Sequence, residues 1–311
     1  MQNLPSVSVI VPVRNAEESI GKLIELLLAQ DYPKSHVEII IVDNGSQDHT
    51  IKLVKQYPVI LEIEDKIISS YAARNKGIKV AKGKIIAFTD ADCLPLQDWI
   101  SAGVQALIEQ NADMIGGKIS FQLSHRPSAA EIIDSVTFMQ NEQNILNHHA
   151  AVTANLFVYT ELFCTVGLFR EVKSGGDFQW TQKATQNGYI LTYAEQAIVC
   201  HPARNINEII KKCWRVSSTP CYVEDVQVEK QKITNKTKRN YFRKFITAIH
   251  LLLPIPSVDI MKLIISKRKN CKQGNSLFTV LCVLYLCKLT QFMALIFNIV
   301  RKRQSSIIKD I

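Results

Sequence analysis

Asp90 and Asp92 occupy alternate positions of Thr89-Asp90-Ala91-Asp92, directly after the apolar run Ile85-Ile86-Ala87-Phe88. In an extended chain, residues two apart point to one side, so both carboxylates can face one crevice where a strand finishes. Hard oxygen ligands of this kind suit Mg2+ or Mn2+ and, through the ion, a diphosphate. Asp-x-Asp also occurs in solvated turns, so the surrounding elements decide its meaning. The sequence holds no GxGxxG or GxxxxGK[ST] loop, which leaves a cation bridging from Asp92 as the economical way to hold phosphate.

The elements that must position this pair begin with Val7-Ser8-Val9-Ile10-Val11-Pro12-Val13, which reads as a buried parallel strand. Pro12 sits near its end, where ladder hydrogen bonds run out. A helix is expected next: Asn15 suits its cap, Glu17 and Glu18 favour its positive end, and Ile20, Leu23, Ile24, Leu27 and Leu28 recur at helical spacing. Val37 to Val42 is a second apolar strand ending in Asp43-Asn44-Gly45-Ser46, which completes a βαβ unit. The alternation continues with a helix over 50–56, a short strand over 59–63, a helix over 71–81 stopped by Gly83, and the strand into Asp90. The loops after Val13, Val42 and Phe88 then open on one edge of a parallel sheet, where α/β sheets bind ligands. A carboxylate such as Asp43 can accept hydrogen bonds there from a base or a ribose.

Four segments make this pattern specific: Val9-Ile10-Val11-Pro12-Val13-Arg14-Asn15, Val42-Asp43-Asn44-Gly45-Ser46-Gln47-Asp48, Ala73-Arg74-Asn75-Lys76-Gly77 and Phe88-Thr89-Asp90-Ala91-Asp92-Cys93. Their order and spacing resemble the inverting, nucleotide-sugar-dependent glycosyltransferases of the A fold, specifically family 2. Thr153-Ala154-Asn155-Leu156-Phe157, Val166-Gly167-Leu168-Phe169 and Ser174-Gly175-Gly176-Asp177-Phe178 are similar to that family's acceptor-side segments, so the resemblance covers residues 6 to about 204. It implies an α/β catalytic domain over 1–205, with a Rossmann-like, mostly parallel sheet flanked by helices. A nucleotide-sugar-binding half (1–115) would precede an acceptor-binding half (116–205). The resemblance places Pro12, Asn15, Asp43, Arg74, Asn75, Asp90 and Asn155 on the nucleotide sugar. It places Asp92 and His201 on a divalent cation, Mn2+ or Mg2+, and makes Asp177 the general base.

The chemistry of such a reaction asks for the same parts. Displacing a nucleoside diphosphate from an anomeric carbon builds charge on the leaving group, which a cation and the Arg74 guanidinium stabilise more in the transition state than in the ground state. On the opposite face, a carboxylate that takes the acceptor hydroxyl's proton is worth ~10²–10⁴ in rate, and direct displacement inverts the centre. Asp177 equally suits a helix cap before 178–188, and one residue can do both. His201, after the strand-like Ala197 to Cys200, reads otherwise as an exposed histidine. The chain has no Gln-x-x-Arg-Trp, the nearest run being Lys212-Cys213-Trp214-Arg215, which departs from processive polysaccharide synthases. Transfer of a single sugar to a lipid-linked or polysaccharide acceptor is therefore expected. Two other classes compete: a nucleotide-binding degenerate transferase without turnover, against which Asp177 argues, and a nucleotidyltransferase. Val13-Arg14-Asn15-Ala16-Glu17 lacks the glycine-rich basic loop of the latter.

A chain of 311 residues with 47% hydrophobic content can bury one large domain plus an appendage. Its eight cysteines show no CxxC and read as free thiols of a reducing compartment. The first twenty residues read as a strand and a helix start, not as a signal core. The net charge of +9 comes mainly from the region 206–311, which reads as a basic, apolar helical C-terminal appendage. Lys211, Lys212, Arg215 and the crowded 230–244 stretch, interleaved with Tyr241 and Phe242, suit an anionic membrane surface at ~1 kcal/mol per cation better than nucleic acid. Residues 277–300 are almost wholly apolar, long enough at ~1.5 Å per residue to cross a core of ~30 Å. Yet Lys288, Gln291 and Asn298 collect on one helix face, and Lys267-Arg268-Lys269 and Arg301-Lys302-Arg303 flank both ends. The expectation is a helix lying in the interface or docked on the protein, at the cytoplasmic face of a membrane, with one span as the alternative.

Overall fold

A computed structural model describes residues 4–219, 261–266 and 276–307. The 230–244 stretch and the Lys267 cluster lie outside the described residues. Strands β1 (Val7–Val13), β2 (Val37–Asp43), β3 (Ile60–Ile63) and β4 (Ile85–Thr89) form a parallel block in the order β3-β2-β1-β4. Helices α1 (Ile20–Leu28), α2 (Thr50–Val54) and α3 (Ser70–Val80) lie along the connections. β1 is apolar apart from Ser8 because both of its faces are covered. Val7, Val9 and Val11 pack with Ile20, Leu23 and Ile24 of α1, and Ile10 packs with Ile40, Ile86 and Ile78 of α3. Pairing of β1 with β4 stops at Ile10 opposite Phe88, so Pro12 lies beyond the last rung on that side, where its missing N–H costs nothing. Gly77 seats α3 tightly on the block, since a Cβ there would lie 2.6 Å from Ile10 Cγ2.

The parallel pattern then breaks. After β5 (Leu94–Pro95), α4 (Trp99–Glu109), β6 (Met114–Gln122), α5 (Ala129–Thr137) and α6 (Asn141–His148), strand β7 (Asn155–Tyr159) runs antiparallel between β4 and β6. Helices α7 (Leu162–Thr165) and α8 (Gly176–Gln186) lead to β8 (Leu191–Pro202), which is parallel to β6 and antiparallel to β5. The reversal sets Asn155, the first residue of β7, opposite Thr89, the last of β4. The short β5 pairs Leu94 with Cys200. Both pairings deliver distant segments to the edge that carries Asp90 and Asp92.

Two helix starts differ from expectation. α1 begins at Ile20 behind Ser19, so Asn15 is no cap; it adopts a left-handed φ of 49° in the preceding loop. α8 already begins at Gly176, which puts Asp177 in its first turn and not at a cap before residue 178.

The chain divides into two compact units, one of 1–122, 139–172 and 176–202, the other of 123–138, 173–175 and 203–311. The second unit resumes at residue 203 and takes in 123–138. There α5 packs Ile132, Ile133 and Val136 with α9 (Ile206–Ser217) and α10 (Leu277–Ile307). Val280, Leu284, Cys287 and Ala294 form the buried stripe of α10. Lys288, Gln291 and Asn298 each lie one turn from that stripe, and Asn298 Nδ2 donates to the Ser218 carbonyl at 2.6 Å. Phe278, Leu286, Met293 and Phe297 are exposed. Leu277–Asn298 is long and apolar enough to cross a membrane, with a mean hydropathy of 2.0 and 22% of its most apolar window buried.

Candidate active site

The loops after β1 and β2 are stitched together. Asn15 N donates to Ser46 Oγ (2.9 Å), Gln47 N to Asn15 Oδ1 (2.8 Å), Ala16 N to Thr50 Oγ1 (2.8 Å) and His49 N to Glu17 Oε2 (2.8 Å). Motif reading passed over this zipper; its signal is the run of short polar side chains from Ser46 to Thr50. At the end of β2, Gly45 turns the chain with φ of 79°, and the amides of Gly45 and Ser46 both donate to Asp43 Oδ2 (3.0 and 3.1 Å). Asp43 is 1% exposed, and its Oδ1 is buried with no hydrogen-bond partner. An orphaned buried carboxylate oxygen is costly, so this atom fits a ligand that brings an N–H or O–H. Pro12, buried at the end of β1, is paired in register with Val42, next to Asp43.

Arg74 and Asn75 leave α3 toward different partners. Arg74 is buried, pairs with Asp90 through Nη2 and Oδ1 at 2.5 Å, and lies 5.4 Å from the Tyr71 ring centroid. Asn75 makes its contacts with the 169–171 segment. Its Nδ2 donates to the Phe169 carbonyl (2.9 Å) and to Glu171 Oε1 (3.3 Å), and its Oδ1 accepts from Phe169 N (3.0 Å). Asn155 likewise bonds within the protein. It is fully buried, its Oδ1 accepts from Trp99 Nε1 (2.9 Å), and its Nδ2 donates to the carbonyls of Lys118 and Ala197 (2.8 Å each). Both amides are committed within the protein. Asn75 clamps the 169–171 segment, and Asn155 ties β7 to β6, β8 and α4.

Asp92, Cys93 and His201 bring their ligand atoms within 4.8 Å of one another. The His201 ring is buried between Phe121 and the sheet edge, with Nδ1 2.6 Å from the Pro202 carbonyl. A carbonyl only accepts, so Nδ1 carries the proton. Nε2 is then the nitrogen that faces Asp92 Oδ2, at 3.5 Å. This sets an imidazole nitrogen and a carboxylate oxygen side by side at the end of β8 and the loop after β4. Burial, and then the charges of Asp90 and Asp92, push the Cys93 thiol of the metal-free protein well above its ordinary range. Asp92 offers a hard oxygen that suits Mn2+ or Mg2+, and His201 adds an imidazole nitrogen, which fits Mn2+ better than Mg2+.

Asp177 faces the site from α8 and is 8% exposed. Its Oδ1 accepts from Tyr71 Oη (2.8 Å) and Phe178 N (2.9 Å), and its Oδ2 from Thr153 N (3.0 Å) and Thr153 Oγ1 (3.2 Å). Tyr71 lies outside every motif segment, whereas Thr153 opens the segment Thr153 to Phe157.

Residues 8–155 match the family described as Glycosyl transferase family 2. The glycosyltransferase AglE of Haloferax volcanii is 44% identical over 219 residues, covering 68% of this chain and 72% of AglE. The chain belongs to glycosyltransferase family 2. Membership sets aside the nucleotidyltransferase alternative. The mannosyltransferase PcManGT of Pyrobaculum calidifontis, solved with GDP-Man and Mn2+, superposes with a TM-score of 0.60 at 18% identity, over 96% of this chain and 88% of that one. TarS of Staphylococcus aureus, residues 1–349 with UDP-GlcNAc, gives 0.53 at 18% identity over 96% and 92%. These likenesses establish the A fold of this family 2 glycosyltransferase. In sequence the chain matches only 20% of the length of full TarS.

Proposed function

We propose that this family 2 glycosyltransferase moves a single sugar, with inversion, from a nucleoside diphosphate sugar, in the first place a UDP-sugar, to a hydroxyl of a lipid-linked or polysaccharide acceptor. The observation that carries this reading is the gathering of Asp43, the Arg74–Asp90 pair, the Asp92–His201 pair and Asp177 around one edge of the sheet. Asp43 Oδ1 receives a hydrogen bond from the base or ribose, beside Pro12 and the loop that Asn15 holds. Asp92 and His201 are the residues that would hold Mn2+ or Mg2+, which when bound supplies positive charge to the departing diphosphate. Arg74, kept in place by Asp90, adds a fixed guanidinium on the same side. Asp177 takes the proton of the acceptor hydroxyl as that oxygen attacks the anomeric carbon and the bond to the diphosphate breaks.

The relatives lend support. TarS is named a poly(ribitol-phosphate) β-N-acetylglucosaminyltransferase, which favours a polymer acceptor. PcManGT with GDP-Man and Mn2+ favours a metal-assisted nucleotide-sugar donor. The exposed apolar face of α10, flanked in sequence by basic clusters, favours work at a membrane surface with α10 lying in the interface. Calorimetry of UDP and GDP with Mn2+, Mg2+ or chelator, on wild type and Asp92→Ala, tests the donor site. Binding should need metal and fall ~10–100-fold in the variant, the usual cost of disturbing a metal shell. Metal-independent binding that survives Asp92→Ala would overturn it.

A further inference from the structure

We propose that Tyr71 is a positioning residue for the transfer step, holding Asp177 on the acceptor side while its ring braces Arg74 on the donor side; this rests on the reading of Asp177 as general base. Tyr71 is buried in the first turn of α3, three residues before Arg74. Its hydroxyl donates to Asp177 Oδ1 at 2.8 Å. The Arg74 guanidinium lies 5.4 Å from its ring centroid, and the Phe169 ring lies 5.9 Å away. A Cβ on Gly176, the residue before the base, would come within 3.0 Å of the Tyr71 ring, so the backbone that presents Asp177 rests on this side chain. Two further α3 contacts hold the same segment, Asn75 with Phe169 and Ser69 Oγ with the Val172 carbonyl at 2.7 Å.

A carboxylate has about four acceptor sites, and four donors reach Asp177. The group is oriented but filled, and to take a proton it must lose one donor. The amides of Thr153 and Phe178 are fixed in the backbone, and the Tyr71 ring is locked by packing. The Thr153 hydroxyl makes the longest of the four contacts, at 3.2 Å, and can rotate away. Oδ2 is then the atom that receives the acceptor's proton, while Tyr71 keeps Oδ1 in place. Burial, reinforced by the Asp177 charge, pushes the Tyr71 phenol well above its ordinary range, so it remains a donor wherever Asp177 can act as a base.

Tyr71→Phe keeps the ring and removes only the hydroxyl. With a UDP-sugar and an acceptor that the wild type uses, kcat should fall about tenfold or more, part of the ~10²–10⁴ that a general base supplies. The donor KM and the affinity for UDP with Mn2+ should stay within about twofold, the range of ordinary context effects. Unchanged kcat, or loss of donor affinity equal to the loss of kcat, would overturn the proposal. Asp177→Asn and the double variant complete a cycle. If Tyr71 acts through Asp177, the double variant is no slower than Asp177→Asn, and losses that multiply refute the coupling. Transfer retained by Asp177→Asn would sink the general-base reading itself. Transfer lost in Asp177→Asn but unchanged in Tyr71→Phe would remove only the role of Tyr71.

Discussion

Asn155→Ala should damage the fold far more than it weakens donor binding. The substitution removes the acceptor for Trp99 Nε1 and the donors for the Lys118 and Ala197 carbonyls. Trp99 and Ala197 are both fully buried, so water does not replace the lost partners. Each buried group left without a partner costs ~1–3 kcal/mol; with the half-buried Lys118 counted at the low end, the sum is ~3–7 kcal/mol. A void adds to this, because the carboxamide fills the space over Gly117, where a Cβ would lie 2.4 Å from Nδ2. Against a total stability of ~5–15 kcal/mol, the loss is a large share. Asn155→Asp should be at least as harmful, since it aims a carboxylate oxygen at two carbonyls. Urea denaturation followed by tryptophan fluorescence measures the shift in midpoint, and calorimetry below the unfolding range measures UDP affinity with Mn2+. The expected result is a much lower midpoint with donor affinity within about twofold, inside ordinary context effects. A midpoint equal to wild type together with lost nucleotide binding would refute the reasoning and return Asn155 to the donor site.

Two further outcomes are expected. Burial, and then the charges of Glu142 and Glu195, push the Tyr193 phenol up to about 12, whereas an unfolded tyrosine ionises near ~10. Above that pH the unfolded chain loses a proton that the folded protein keeps, so stability falls as pH rises through this window; urea midpoints across it should decline, and a decline unaltered by Tyr193→Phe would exclude this cause. At the C-terminus, Phe278→Ser combined with Met293→Ser removes two of the most exposed apolar side chains of α10. At ~1.5–3 kcal/mol per buried side chain, sedimentation with anionic vesicles should weaken at least tenfold, and equal binding by the variant would mean that this face meets no lipid.

The parallel block was legible because its signals are local. Apolar runs of four or five residues, each followed by polar residues, announce β1, β2 and β4 with the edge on which they open. The direction of β7 was not legible: an apolar strand reads alike whether its neighbours run with it or against it, and only pairing with β4 and β6 decides. The amides show the same limit at the scale of one side chain. Asparagine has the donors and the acceptor to hold a nucleotide or to hold two carbonyls, so residue type at a motif position cannot distinguish them. For Asn75 the deciding partner lies 94 residues away, and for Asn155 it lies 42 away. Carboxylates differ because leaving one oxygen unpaired in a buried site is expensive. The unpaired Asp43 Oδ1 therefore points to a missing ligand in a way that the saturated amides do not. Asp177 stands between these cases. Its residue type and motif position suggested a base, but the hydroxyl that holds it comes from Tyr71, 106 residues earlier, on the helix that also carries Arg74. Under the proposed roles of Arg74 and Asp177, a helix that holds both the leaving-group cation and the base fixes the distance between the two ends of the displacement, which is what such a transfer most needs from its scaffold.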